Sequence, residues 1–120
     1  MNRFNPSPEP CARADKKMNQ DLYNYMWGPK EFRIAGTLRD FDPTSRLSEI
    51  LVPVLLLCGR YDEATPQTCE YFRSLIPDAR LTIFEDSAHL PVWSEQQKYV
   101  ETIRKFLTEV ETGQFTISPK

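Results

Sequence analysis

Asp62 and His89 are the two residues of this 120-residue chain whose types and order best suit acid–base chemistry. His89 is the only histidine, and an imidazole changes charge closer to neutrality than any other unperturbed side chain. A serine hydroxyl is a weak nucleophile until an imidazole within hydrogen-bond reach takes its proton. The imidazole in turn needs a carboxylate that holds its tautomer and stabilises the cation that forms. Asp62 followed by His89 is the later half of a triad running Ser…Asp…His. Plainer readings stand beside this one. A lone loop histidine is ordinarily a surface residue. An aspartate after Gly59-Arg60-Tyr61 can be a turn former, or a charge near the start of a helix opened by Pro66.

The elements around these residues decide what they can meet. Val52 to Cys58 is an apolar run bounded by Pro53 and Gly59. A short run without polar alternation predicts a strand buried on both faces, the habit of parallel sheets. A polar loop, 60–65, follows. Pro66 suits the first turn of a helix over 66–76, with Tyr71, Phe72, Leu75 and Ile76 facing inward. Leu81 to Phe84 predicts a second strand, and 85–91 a second loop. Over 94–110, Tyr99, Val100, Ile103, Phe106, Leu107 and Val110 form one stripe of a 3.6-residue period. Residues 52–110 therefore read strand, helix, strand, helix, a crossover unit of an α/β protein. In such sheets ligands gather beyond the carboxyl ends of the strands, and the two loops that carry Asp62 and His89 lie there.

The N-terminal third reads differently. Residues 1–10 hold Pro6, Pro8 and Pro10, and 11–18 suggest a short helix. Asn19 is a candidate N-cap for a helix to Trp27, stopped by Gly28-Pro29. Residues 28–42 are loop-like, and 44–50 suggest one helical turn. Composition narrows the partners. A net charge of -2 gives no reason to expect nucleic acid or an anionic membrane. The longest apolar run falls far short of the ~20 residues of a membrane-spanning helix. Residues 1–20 contain no apolar core of a secretory signal. Cys11, Cys58 and Cys69 fit no common zinc spacing and no closed disulfide framework. The expectation is a cytoplasmic protein with reduced thiols, no metal and no cofactor.

Three strings resemble a known family: Cys58-Gly-Arg-Tyr-Asp-Glu-Ala-Thr-Pro66, Ser87-Ala-His-Leu-Pro91 and Tyr23-Asn-Tyr-Met-Trp-Gly-Pro-Lys-Glu-Phe32. They are similar to the C-terminal part of the proline iminopeptidases, serine aminopeptidases of the α/β-hydrolase fold. Gly36-Thr-Leu-Arg-Asp40 and Arg46-Leu-Ser-Glu-Ile50 extend the resemblance, which runs from about residue 19 to 110. It implies an α/β fold class: the C-terminal part of an α/β-hydrolase, two parallel strands with flanking helices, preceded by the remnant of a helical cap. The implied division is cap remnant 1–42, hydrolase core 43–112 and a frayed tail 113–120. Asp62 then resembles the triad acid and His89 the general base. Glu63 and Glu31 resemble the two glutamates that hold a substrate's α-amino group, Glu31 being donated by the cap. The implied partner is a short peptide with a free N-terminus, proline by expectation. Tyr23, Tyr25, Trp27 and Phe32 either wall a proline-sized subsite or simply pack the cap.

No serine of the chain is flanked by glycines at both -2 and +2, so the Gly-x-Ser-x-Gly elbow is absent from these 120 residues. Two parallel strands also need pairing and cover beyond what this chain offers. The expected second partner is accordingly the upstream half of a hydrolase fold, and the chain by itself is expected to be inactive. Two alternatives stay open: an α/β-hydrolase of other specificity, such as an esterase or amidase, and a non-catalytic fragment.

Overall fold

The computed structural model describes residues 18–117, which divide into two compact units between Pro43 and Thr44. The proline-rich stretch 1–10 and nearly all of the helix expected over 11–18 lie outside the described residues.

In the first unit, helix α1 spans Gln20–Met26. Asn19 caps it as expected, its side chain accepting from the Leu22 amide at 3.0 Å, which satisfies one of the amides a helix start leaves unpaired. The helix ends before Gly28, and the chain then doubles back. The amides of Ala35 and Gly36 bond to the Trp27 carbonyl at 2.7 and 2.9 Å, and those of Thr37 and Leu38 bond to Tyr25 and Met26. A groove of about 340 Å³ lies between this return and α1, lined by Leu22, Tyr23, Met26, Trp27 and Leu38 among others.

The second unit opens with a 3-10 turn, Thr44–Glu49, packed against the helix Pro66–Leu75. Strand β1 spans Val54–Gly59, α2 spans Pro66–Leu75 and strand β2 spans Ala79–Phe84. A short helix α3, Pro91–Ser94, precedes the long α4, Gln96–Glu111. The strands are parallel and in register from Val54 opposite Ala79 to Gly59 opposite Phe84. Pro66 occupies the first turn of α2, where its missing N–H leaves no bond unmade, and the Thr65 hydroxyl accepts from Thr68 N at 3.4 Å.

The core reaches from the carboxyl ends of the strands to the start of β2. Cys58, Ile76, Ala79, Phe84, Ser87 and Ala88 are buried. Helix α2 packs on both strands, and α4 meets β2 where Tyr99 lies 5.9 Å from the Phe84 ring. Two expectations change here. Val54 to Leu57 are half-buried rather than buried on both faces. Each strand has one hydrogen-bonded neighbour among the described residues. Likewise Val100 and Leu107, on the apolar stripe of α4, remain exposed.

The tail differs as well. It is expected to fray after Gly113, yet up to Ile117 it folds back. Gly113 adopts φ +71°, open to a residue without Cβ, and Gln114 N bonds to Glu109 O at 2.7 Å. Phe115 then stacks edge-on against Phe106 at 5.6 Å, with the Arg80 guanidinium 4.8 Å from its ring centre. Arg80 also donates to Thr116 O and pairs with Glu109. Phe115→Ala is expected to release residues 114–117 at a cost of about 1–2 kcal/mol, from a lost aromatic pair and cation–π contact. Hydrogen exchange at the Gln114 amide should accelerate while the amides of β1 and β2 hold. Equal protection in the variant would contradict the docking.

Candidate active site

Both loops leave the sheet at one level, because Gly59 and Phe84 are register partners. Backbone bonds then join them: Arg60 N donates to Phe84 O at 2.8 Å, and Tyr61 N to Ser87 O at 3.0 Å. Gly59 makes this possible. A Cβ there would stand 2.0 Å from Ala88 O and 2.6 Å from Ser87 O, far inside van der Waals contact. The Arg60 guanidinium pairs with Glu85 through two hydrogen bonds of 2.8 and 2.6 Å. That bonding raises the Arg60 pKa and lowers that of Glu85, although in water such a pair adds little stability.

Within this frame Asp62 and His89 meet. Asp62 Oδ1 lies 3.1 Å from His89 Nδ1 and accepts from Ala64 N at 3.0 Å. The second bond reaches the backbone two residues on, a turn habit of aspartate, and fixes the carboxylate's direction. The Asp62 side chain is only 9% exposed, whereas that of His89 is 62% exposed. An ionised carboxylate can only accept, so Nδ1 is the donor and Nε2 of the neutral ring is left as the acceptor. A base so arranged can take a proton at Nε2 while its cation is stabilised at Nδ1.

Glu63 follows Asp62 in the same loop and is exposed. Glu31 belongs to the other unit; it too is exposed, and its carbonyl accepts from Trp27 Nε1 at 2.8 Å. Of the aromatic residues near it, Tyr23 and Trp27 line the groove beside α1, whereas Tyr25 and Phe32 are 68% and 84% exposed. The hydroxyl and the thiol nearest these loops are otherwise engaged. The Ser87 hydroxyl is buried and donates to Glu95 Oε2 at 2.6 Å. Burial, reinforced by the neighbouring Cys69, pushes the Cys58 thiol up to about 12, so it stays protonated. Among the described residues no group of three or more His, Cys, Asp or Glu side chains is placed to hold a metal. No helix of the described residues is long and apolar enough to cross a membrane.

Sequence reasoning treats Gly59 as a strand terminator and does not single out Ser87 or Glu95. The Gly59 contact joins two different loops, and Ser87, in a loop, and Glu95, at a helix junction, belong to no common element whose periodicity would pair them.

No protein-family model matches the chain. Among curated proteins it is 44% identical over 111 residues to the proline iminopeptidase of Heyndrickxia coagulans, covering 92% of this chain and 38% of that one. It is 39% identical over 109 residues to the proline iminopeptidase of Saccharolobus solfataricus, covering 90% and 35%. Among solved structures, the proline iminopeptidase of Mycobacterium smegmatis matches with a TM-score of 0.82 and 32% identity, over 90% of this chain and 37% of that one. VinJ matches with a TM-score of 0.78 and 37% identity, over 88% and 36%. The chain thus spans little more than a third of the length of these relatives. Over that span its fold is that of part of an α/β-hydrolase, and its sequence is similar to that of the proline iminopeptidases.

Proposed function

We propose that this chain supplies the acid and the base of a serine aminopeptidase that releases an N-terminal residue, proline by preference, from short peptides. The observation that carries the reading is the Asp62–His89 hydrogen bond of 3.1 Å at the ends of neighbouring parallel strands. His89 Nε2 takes the proton of a serine hydroxyl and later returns it to the leaving amine, while Asp62 holds Nδ1–H. The serine and the oxyanion hole come from the upstream half of the fold, and the chain alone is inactive. Residues 1–42 act as the remnant of a helical cap. Glu63 and Glu31 hold the substrate's ammonium by charge-assisted hydrogen bonds. They also disfavour blocked N-termini, which would leave their carboxylates desolvated without a partner.

The test is a chimera in which this chain replaces the matching portion of a bacterial relative. The chain alone should not turn over prolyl-naphthylamide, and the chimera should. Glu63→Gln in the chimera should lower kcat/KM for free N-termini by about 10–100-fold, the equivalent of roughly 1.5–3 kcal/mol for a hydrogen bond to a charged group. An N-acetylated substrate should be unaffected or gain. Equal losses on both substrates would remove the support for amino-terminal recognition and favour an esterase or amidase. Turnover by the chain alone would refute the need for an upstream nucleophile.

A further inference from the structure

Ser87 is fully buried, and every polar group it carries is engaged. Its carbonyl accepts from Tyr61 N in the acid loop, and its amide donates to Phe84 O. Its hydroxyl donates to Glu95 Oε2 at 2.6 Å and lies 2.7 Å from the Ser94 hydroxyl. Glu95 stands at the junction of α3 and α4, where its backbone leaves helical geometry with φ -133°. Its side chain is 15% exposed, and Lys98 Nζ lies 3.7 Å from Oε1. Oε2 accepts a second bond, from Asp86 N at 3.2 Å. One carboxylate oxygen therefore grips two consecutive residues of the loop that presents His89.

The His89 side chain itself is mostly exposed and makes a single described polar contact, with Asp62. Packing does not hold the ring, so its direction depends on the loop backbone that carries it. That backbone is bonded on one side to Tyr61, beside Asp62, and on the other to Glu95. We infer that Glu95, acting through the Ser87 hydroxyl and the Asp86 amide, is a positioning residue that sets the His89 imidazole against Asp62. A mostly buried, hydrogen-bonded carboxylate suits this task, since charge-assisted bonds are short and directional. Losing it would leave the Ser87 hydroxyl only the Ser94 oxygen to turn to and the Asp86 amide without its side-chain acceptor. The inference rests on the reading of Asp62 and His89 as an acid–base pair, but its test needs no turnover.

Because His89 is the only histidine, the imidazole 15N spectrum of the full chain contains one ring. In the wild type above the imidazole's titration, Nδ1 should carry the proton, the signature of donation to Asp62. Glu95→Ala and Ser87→Ala should lose that signature, the ring reverting to the Nε2–H form that unrestrained imidazoles favour. Glu95→Gln should keep it, because the amide oxygen still accepts from Ser87 and Asp86. Backbone amide dispersion reports in each case that β1 and β2 persist, which a general loss of fold would not allow. An Nδ1–H signature unchanged in a folded Glu95→Ala or Ser87→Ala chain would overturn the positioning role, with the acid–base pair left standing. If Asp62→Ala also left it unchanged, the pair itself would fail, and the inference with it.

Discussion

His89→Ala in the chimera completed with an upstream half is expected to lower kcat by about 10⁶-fold, the loss typical when the base of a serine triad is removed. Asp62→Asn should lower it by about 10⁴-fold, because an amide at that position stabilises the wrong imidazole tautomer and no longer offsets the cation. The two losses should not add, since both disable one proton transfer. KM should change little in either variant, because neither residue is assigned to binding the ground state. The geometry gives the reason for the ranking. In the proposed mechanism His89 Nε2 receives the proton, whereas Asp62 acts only through Nδ1 at 3.1 Å. Steady-state kinetics on prolyl-naphthylamide, with far-ultraviolet circular dichroism to show intact secondary structure, measures both. A residual activity within tenfold of wild type for His89→Ala would mean that another group is the base.

Gly59→Ala is expected to cost about 3 kcal/mol and to separate Asp62 from His89, although the one described bond of residue 59 to either is that of the Asp62 amide, which donates to its carbonyl at 3.2 Å. The added methyl would meet two backbone carbonyls, those of Ala88 at 2.0 Å and Ser87 at 2.6 Å. Backbone cannot rotate aside as a flexible side chain can, so the His89 loop must shift as a body. That strains the Tyr61 N to Ser87 O bond and moves the imidazole from Asp62. Overpacking a dense interior ordinarily costs about 1–3 kcal/mol, and a rigid obstacle places this case at the upper end. Against a typical total of about 5–15 kcal/mol, that is a large share of the stability. A denaturant melt should show a lower midpoint with little change in slope, and activity should fall more than in Phe115→Ala. A melt matching wild type would show that the loops accommodate the methyl and are not in close contact.

Much of this arrangement is legible before any coordinates. The apolar run before Gly59, Pro66 at the start of α2 and the stripe on α4 follow from periodicity and turn chemistry, which are local properties. Asp62 and His89 emerge from the same source, since strand ends in a parallel sheet are where side chains converge. What stays hidden is contact between loops, which no periodic pattern encodes. Gly59 reads as punctuation until the Ala88 carbonyl is found above it. Ser87 and Glu95 read as ordinary loop polar residues until one is seen buried against the other. The partial exposure of Val54 to Leu57 is hidden for another reason. A sequence pattern reports the faces a strand is built to bury, not how many are covered within a particular chain. The tail is a simpler case: Phe115 is one aromatic in a polar stretch, and its place between Phe106 and Arg80 depends on the turn at Gly113.

The register of β1 and β2 bears on how this site forms. All six strand pairs, from Val54 with Ala79 to Gly59 with Phe84, are separated by the same length of chain. Most of that length is taken up by α2, which packs on both strands. Closing one pair therefore brings the other five within reach at no further loop-closure entropy. Contacts of such modest sequence separation form quickly compared with pairings between distant strands. Asp62 and His89 flank this crossover, so one short nucleation event draws them together. The proposed acid–base pair is in that sense a kinetic unit, able to assemble before any nucleophile on another part of a hydrolase fold reaches it.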